Sequence, residues 1–216
     1  MQLTSIYSVP IWQTNYDNYE EIEKLLKKIE ELKNEFESVS TDNVGGYQSP
    51  NVLQTIPEFN TLLQFLSEST QKSAIDIGFN DFGLAITSAW FNVINNQSMV
   101  REHVNKDVFT GIFCLKNSDV GGANILIKNH CTNHMWDGFK LSHNKNEFLA
   151  KQVCIELEAG SLLIMPSYLS HSIEPSSSDD ESVFISFESI LLNRDEFNER
   201  ILIREHIKNA QDDKNE

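Results

Sequence analysis

Two of the six histidines, His103 and His171, stand at the ends of strand-like runs. His103 lies between the runs Trp90–Asn95 and Thr110–Leu115. His171 opens a strand just after Met165-Pro166-Ser167. Imidazoles at neighbouring strand ends of one barrel can converge on a single ion. Non-haem iron sites for oxygen chemistry use two histidines and a carboxylate, usually as H-x-D on one strand plus a distant His. The other histidines carry less chemistry. His143 lies in a polar run and His206 sits beside Glu205 on a final helix. His130, Cys131 and His134 lack a structural zinc spacing and a nearby fourth ligand, so they read as a loop with Trp136 over the barrel mouth.

A β-structure must position such residues. Leu84–Asn95, Thr110–Leu115, Ala123–Lys128, Gln152–Leu157, Ser161–Met165, His171–Glu174 and Val183–Leu192 read as strands separated by polar and Gly-containing turns. Helical spacing precedes them. Asp17 can cap a helix to about Phe36, with Ile22, Leu25, Leu26, Ile29, Leu32 and Phe36 on one face. A second helix starts at Pro57, buries Phe59, Leu62, Leu63, Leu66, Ile75 and Ile77, and ends at Gly78. Residues 5–12 read as a short strand and 38–50 as a loop. The expected fold is mainly β with flanking helices: a double-stranded β-helix, or cupin-like jelly roll. One domain is expected, with support from 1–82, a core over 83–192, and a C-terminal helix and polar tail over 193–216. Asn193 can cap that helix, and Phe197, Ile201, Leu202 and Ile207 form its stripe.

The formal net charge of −15 repels phosphate backbones and argues against nucleic-acid binding. Cys114, Cys131 and Cys154 form neither a disulfide framework nor a zinc motif. Cys114 and Cys154 read as buried small hydrophobes, which suits a reducing, cytoplasmic setting. No apolar run is long enough to span a bilayer, and the N-terminus lacks a signal-peptide pattern. Trp12, Tyr47 and Tyr168 read either as core anchors or as substrate-stacking rings, and Trp90, in a strand, as a core anchor.

Two segments carry more specific information: Gly45-Gly46-Tyr47-Gln48-Ser49-Pro50, and Ser161 through Pro166-Ser167-Tyr168-Leu169-Ser170 to His171. Together they resemble a family of 2-oxoglutarate/Fe(II) oxygenases of marine bacteria and their phages. In that family a GGWQSP-like stretch precedes the barrel and an FPSWLxH-like stretch supplies the last iron ligand. Trp90-Phe91-Asn92, Thr110-Gly111 and Phe184-Ile185-Ser186-Phe187 fit the same order of motifs. The resemblance implies iron held by His103, His171 and the residue at position 105, with 2-oxoglutarate as cosubstrate; that residue is Asn105, in His103-Val104-Asn105, whose neutral amide oxygen is a weaker ligand than a carboxylate, and Asp107 is close enough in sequence to compensate. Its departures fall on the chemistry. Ser182 stands where an Arg would bind the cosubstrate carboxylate, and Phe113-Cys114 replaces a Tyr-Tyr pair. Lys116 or Lys128 could supply the missing cation from a neighbouring strand.

Two functions follow as expectations. One is a dioxygenase that uses Fe(II) and 2-oxoglutarate to hydroxylate a C–H bond of a protein or small molecule, in the manner of a prolyl hydroxylase. The other is a jelly roll without catalysis or cofactor that binds a fixed protein partner, in a host cytoplasm or a virion. No nucleic-acid or membrane partner is expected, and self-association is left open.

Overall fold

The computed structural model describes residues 9–39, 42–128 and 152–199. The expectations for residues 5–8, His130, Cys131, His134, Trp136, His143, Ile201, Leu202, His206 and Ile207 therefore lie outside the described residues.

Helix α1 spans Tyr19–Glu35 and α2 spans Asn60–Asp76. The strands are β1 (Trp12–Asn15), β2 (Asn43–Val44), β3 (Tyr47–Gln48), β4 (Phe82–Ile94), β5 (Met99–His103), β6 (Phe109–Lys116), β7 (Ile125–Lys128), β8 (Gln152–Ile155), β9 (Ser161–Pro166), β10 (His171–Ile173) and β11 (Ser182–Asn193). They form a six-stranded sheet in the order β1-β9-β6-β11-β4-β3 and a five-stranded sheet in the order β2-β5-β10-β7-β8. Every pairing in both sheets is antiparallel. The protein is a jelly roll with helices packed outside the larger sheet.

Alternation of side chains builds two cores. One face of the larger sheet presents Phe91, Phe113, Ile164, Ile185 and Phe187 to Ile22, Leu25 and Ile29 of α1 and Leu62 and Leu66 of α2. Burying each such side chain stabilises the fold by roughly 1.5–3 kcal/mol. This face explains Gly111: a Cβ there would meet the Phe187 ring at 2.1 Å. The second core lies between the sheets and contains Ile112, Cys114, Phe184, Leu163 and Met165 against Ile125, Ile127 and Ile173.

The register arranges the inner face of the larger sheet in rows. Ser88, Glu188, Thr110 and Met165 face one another across β4, β11, β6 and β9. Next come Trp90, Ser186, Ile112 and Leu163, then Asn92, Phe184 and Cys114, and finally Ile94 with Ser182. Successive rows lie about 7 Å apart, two residues along a strand.

Several expectations are corrected. Among the described residues the first strand is Trp12–Asn15, and residues 9–11, expected to be in a strand, are not. Asn18, not Asp17, caps α1, its side chain accepting from the Glu21 N–H at 3.2 Å. Pro57 opens a 3-10 turn over Pro57–Phe59, and α2 follows it. Ile75 and Ile77 are exposed, because Ser69, Thr70, Ser73 and Ala74 form the buried face of that end of α2. The loop over 38–50 contains β2 and β3, turned by Gly45 at φ 79°; each pairs with a different sheet. Strand β5 fell within no expected strand. Cys154 is exposed, since β8 is an edge strand, whereas Cys114 is fully buried. Asn193 does cap the helical stretch over 194–199, accepting from the Glu196 N–H at 2.9 Å. Among the described residues no helix is long and apolar enough to cross a membrane.

Candidate functional site

His103 and His171 are direct cross-strand partners on β5 and β10. The next pair is Ile173 with Val100, so β5 spends three residues where β10 spends two. That β-bulge turns both Val100 and His103 inward, although regular alternation would point them to opposite faces. The imidazole centroids lie 4.4 Å apart with a 55° tilt.

Each ring is held by the carbonyl two residues earlier. The His103 Nδ1 lies 2.9 Å from the Arg101 carbonyl, and the His171 Nδ1 lies 2.9 Å from the Leu169 carbonyl. A carbonyl only accepts, so both Nδ1 atoms carry a proton, and it is Nε2 of each ring that is left to face a ligand. Metal-binding histidines are typically held in this way, with the ring nitrogen away from the ion donating to a backbone carbonyl. Burial lowers the His171 pKa from 6.5 to about 4, and the adjacent His103 adds to the effect. The ring is therefore neutral, as a ligand must be.

Both rings line a cavity of about 300 Å³ between the sheets. Asn105 lines it too. Its Nδ2 donates to the Thr110 hydroxyl at 2.9 Å, and its main-chain N–H donates to the Ser167 carbonyl at 3.1 Å. These bonds orient the carboxamide and leave Oδ1 as a neutral oxygen donor. Asp107 is engaged elsewhere, accepting from the Thr87 hydroxyl, and does not line the cavity. Among the described residues no three Asp, Glu, Cys or His side chains converge as a metal cluster. Two imidazoles and an amide oxygen nevertheless suit a divalent transition ion with open positions. His103, Asn105 and His171 would hold it.

The positions expected to bind the cosubstrate are not brought to this cavity. Ser182 is fully buried, with its hydroxyl donating to the Asn117 Oδ1 at 2.7 Å and accepting from the Ala123 N–H at 3.5 Å. It lies two rows beyond Ser186, about 13 Å along the strand, with the Phe184 ring in the intervening row. Lys116 ends β6 and is exposed. Lys128 pairs with Glu102 at 2.8 Å, and both line, together with His171, a second recess of about 110 Å³. No Lys or Arg lines the larger cavity among the described residues. The donor set of His103, Asn105 and His171 thus suits a divalent ion, whereas the larger cavity offers no lysine or arginine to a dicarboxylate among the described residues.

The cavity also holds residues that the motifs did not single out for it. Trp90 is partly exposed on its wall rather than a core anchor, because the inner row beside it carries the small Ser186. Asn92 donates to the Ser186 hydroxyl at 3.3 Å, and Asp42 and Gln48 complete one side. Alternation along Ser88-Ala89-Trp90-Phe91-Asn92 is the sequence signal that could have found the β4 wall. Of the aromatics left open between packing and stacking, Trp12 meets Phe109 edge-on at 6.0 Å, and Tyr47 stacks on Phe91 at 5.4 Å. Tyr168 is 62% exposed.

Comparison with solved structures shows the same fold. SnoK, a non-heme alpha ketoglutarate dependent carbocyclase from nogalamycin biosynthesis, is 13% identical, with a TM-score of 0.60 over 86% of this chain and 80% of its own. HygX from Streptomyces hygroscopicus, solved with nickel and 2-oxoglutarate bound, is 10% identical, with a TM-score of 0.58 over 86% and 83%. A Pseudomonas putida prolyl-4-hydroxylase is 12% identical, with a TM-score of 0.54 over 87% and 94%. No curated protein sequence matches the chain. Residues 88–188, from the cavity wall on β4 to the middle of β11, match the family model described as "Putative 2OG-Fe(II) oxygenase".

Proposed function

We propose that this chain is an oxygenase-fold protein that keeps a two-histidine metal centre and has given up 2-oxoglutarate-dependent turnover. One observation carries the reading. Two imidazoles anchored through Nδ1 line the cavity, while the hydrogen-bonded Ser182 lies two rows away beyond Phe184 and no lysine or arginine lines the cavity among the described residues. A 2-oxoglutarate dianion entering the cavity would meet no compensating lysine or arginine. The protein's role is then to bind, through a metal-dependent pocket, a ligand or protein partner presented at the barrel mouth.

A second reading is favoured by the preserved histidine pair and by a cavity large enough for a substrate side chain. It is an active oxygenase that hydroxylates a C–H bond of a protein or small molecule, as the prolyl-4-hydroxylase neighbour suggests. Fe(II) and 2-oxoglutarate would then supply the oxidising chemistry. This chain's own contribution would be to orient the metal through His103 and His171 and to exclude water with Ile112, Ile173 and Val100.

Anaerobic calorimetric titration separates the two. The first reading expects Fe(II) or Co(II) binding that His171→Ala abolishes, with no 2-oxoglutarate binding up to millimolar concentration. Saturable 2-oxoglutarate binding to the metal-loaded protein, with its consumption on admission of oxygen, would overturn it in favour of the second.

A further inference from the structure

Two imidazoles and an amide leave the charge of a divalent ion uncompensated. A partly buried +2 centre without an anionic neighbour is costly, so the chain's carboxylates bear on the question. Most near the site are engaged. Glu102 pairs with Lys128 and accepts from the Ser170 hydroxyl at 2.6 Å. Glu188 accepts from the Ser88 hydroxyl at 2.9 Å and from the Lys106 N–H at 3.2 Å. Asp107 is bonded to Thr87.

Asp42 differs. It lines the same cavity as His103, Asn105 and His171. Its main-chain carbonyl accepts from the Arg101 N–H at 2.8 Å, which ties it to β5 two residues before His103. The side chain is partly buried. Its carboxylate makes no ion pair or hydrogen bond among the described residues, and no cation lines the cavity beside it. Asp42 and a donor set without an anion thus line one cavity, each lacking what the other supplies.

Resting on the two-histidine reading, we propose that Asp42 is the anionic partner of the metal centre, in place of the carboxylate missing at position 105. The charge has moved from the strand that carries His103 to the segment that leads into β2. Asp42 acts on the ion electrostatically, across the cavity, as a positioning and charge-compensating residue.

The test uses the full chain, stripped with chelator and titrated with Co(II) alone by calorimetry and visible absorption. Asp42→Asn is expected to weaken Co(II) binding at least tenfold, and Asp42→Glu to restore most of it. The metal-free variants should melt at the wild-type temperature, because the Asp42 side chain has no partner to lose among the described residues. If Asp42→Asn binds Co(II) as wild type while His103→Ala and His171→Ala do not, this inference is overturned and the two-histidine reading stands. If the histidine variants also bind as wild type, the metal reading falls and takes this inference with it. Weakening by Asp42→Asn that Asp42→Glu fails to restore, with a lowered melting temperature, would assign Asp42 a structural role and overturn the inference alone.

Discussion

Substituting Ser182→Arg tests whether the cosubstrate end of the barrel is sealed. Family logic at this position would make it a repair. The structure makes it an injury. The Ser182 hydroxyl bond to Asn117 is 2.7 Å long, and losing it costs about 1 kcal/mol. The guanidinium would lie beside Ile94 and behind Phe184, with no acidic partner in its row. Burying an unpaired charge adds roughly 3–5 kcal/mol. The sum, about 4–6 kcal/mol, is a large share of the 5–15 kcal/mol that holds a typical domain together. The expected outcome is a large drop in the urea midpoint, followed by tryptophan fluorescence, and no gain in calorimetric binding of 2-oxoglutarate. A variant with the wild-type midpoint and sub-millimolar 2-oxoglutarate binding would refute the reasoning, because the cavity would then extend past Phe184.

Asn105→Asp places a charged oxygen beside His103, where the Thr110 hydroxyl can turn to donate to it; Co(II) affinity should rise about tenfold, roughly 1.4 kcal/mol, by calorimetry. In metal-free protein, burial holds the His171 pKa near 4, below its unfolded value of about 6.5. The unfolded chain therefore binds the extra proton, and stability should fall as pH drops from 6.5 towards 4, by up to about 3 kcal/mol. Thermal melts across that range would show it, and His171→Gln should flatten the dependence. Of the two described cysteines, Cys154 should be alkylated in the native state and Cys114 only after unfolding, since burial pushes the Cys114 thiol up to about 12; peptide mapping after timed labelling reads this directly.

Much of the fold is legible in local pattern. Period-two runs mark β4, β6, β9 and β11 because each is long and has an apolar face on the core. The stripe of Ile22, Leu25, Ile29 and Leu32 marks α1 for the same reason, at the helical period. The end of α2 is misread because Ile75 and Ile77 continue an apolar pattern while the helix buries Thr70, Ser73 and Ala74 instead. Only packing against the sheet decides which face turns inward.

The sequence alone determined that His103 and His171 bracket a β-barrel and that position 105 lacks a carboxylate, because residue type and strand order are local facts. It could not show that the two histidines are paired, because the β5 bulge breaks the alternation that would have revealed the strand. Nor could it place Asp42 in the same cavity, since that neighbourhood arises from β2 pairing with β5 across a long stretch of chain. The fate of Ser182 was likewise a tertiary matter. Whether a serine at that position lies open to a ligand or sealed behind Phe184 depends on which row of the sheet it occupies, and register is set only when the strands pair.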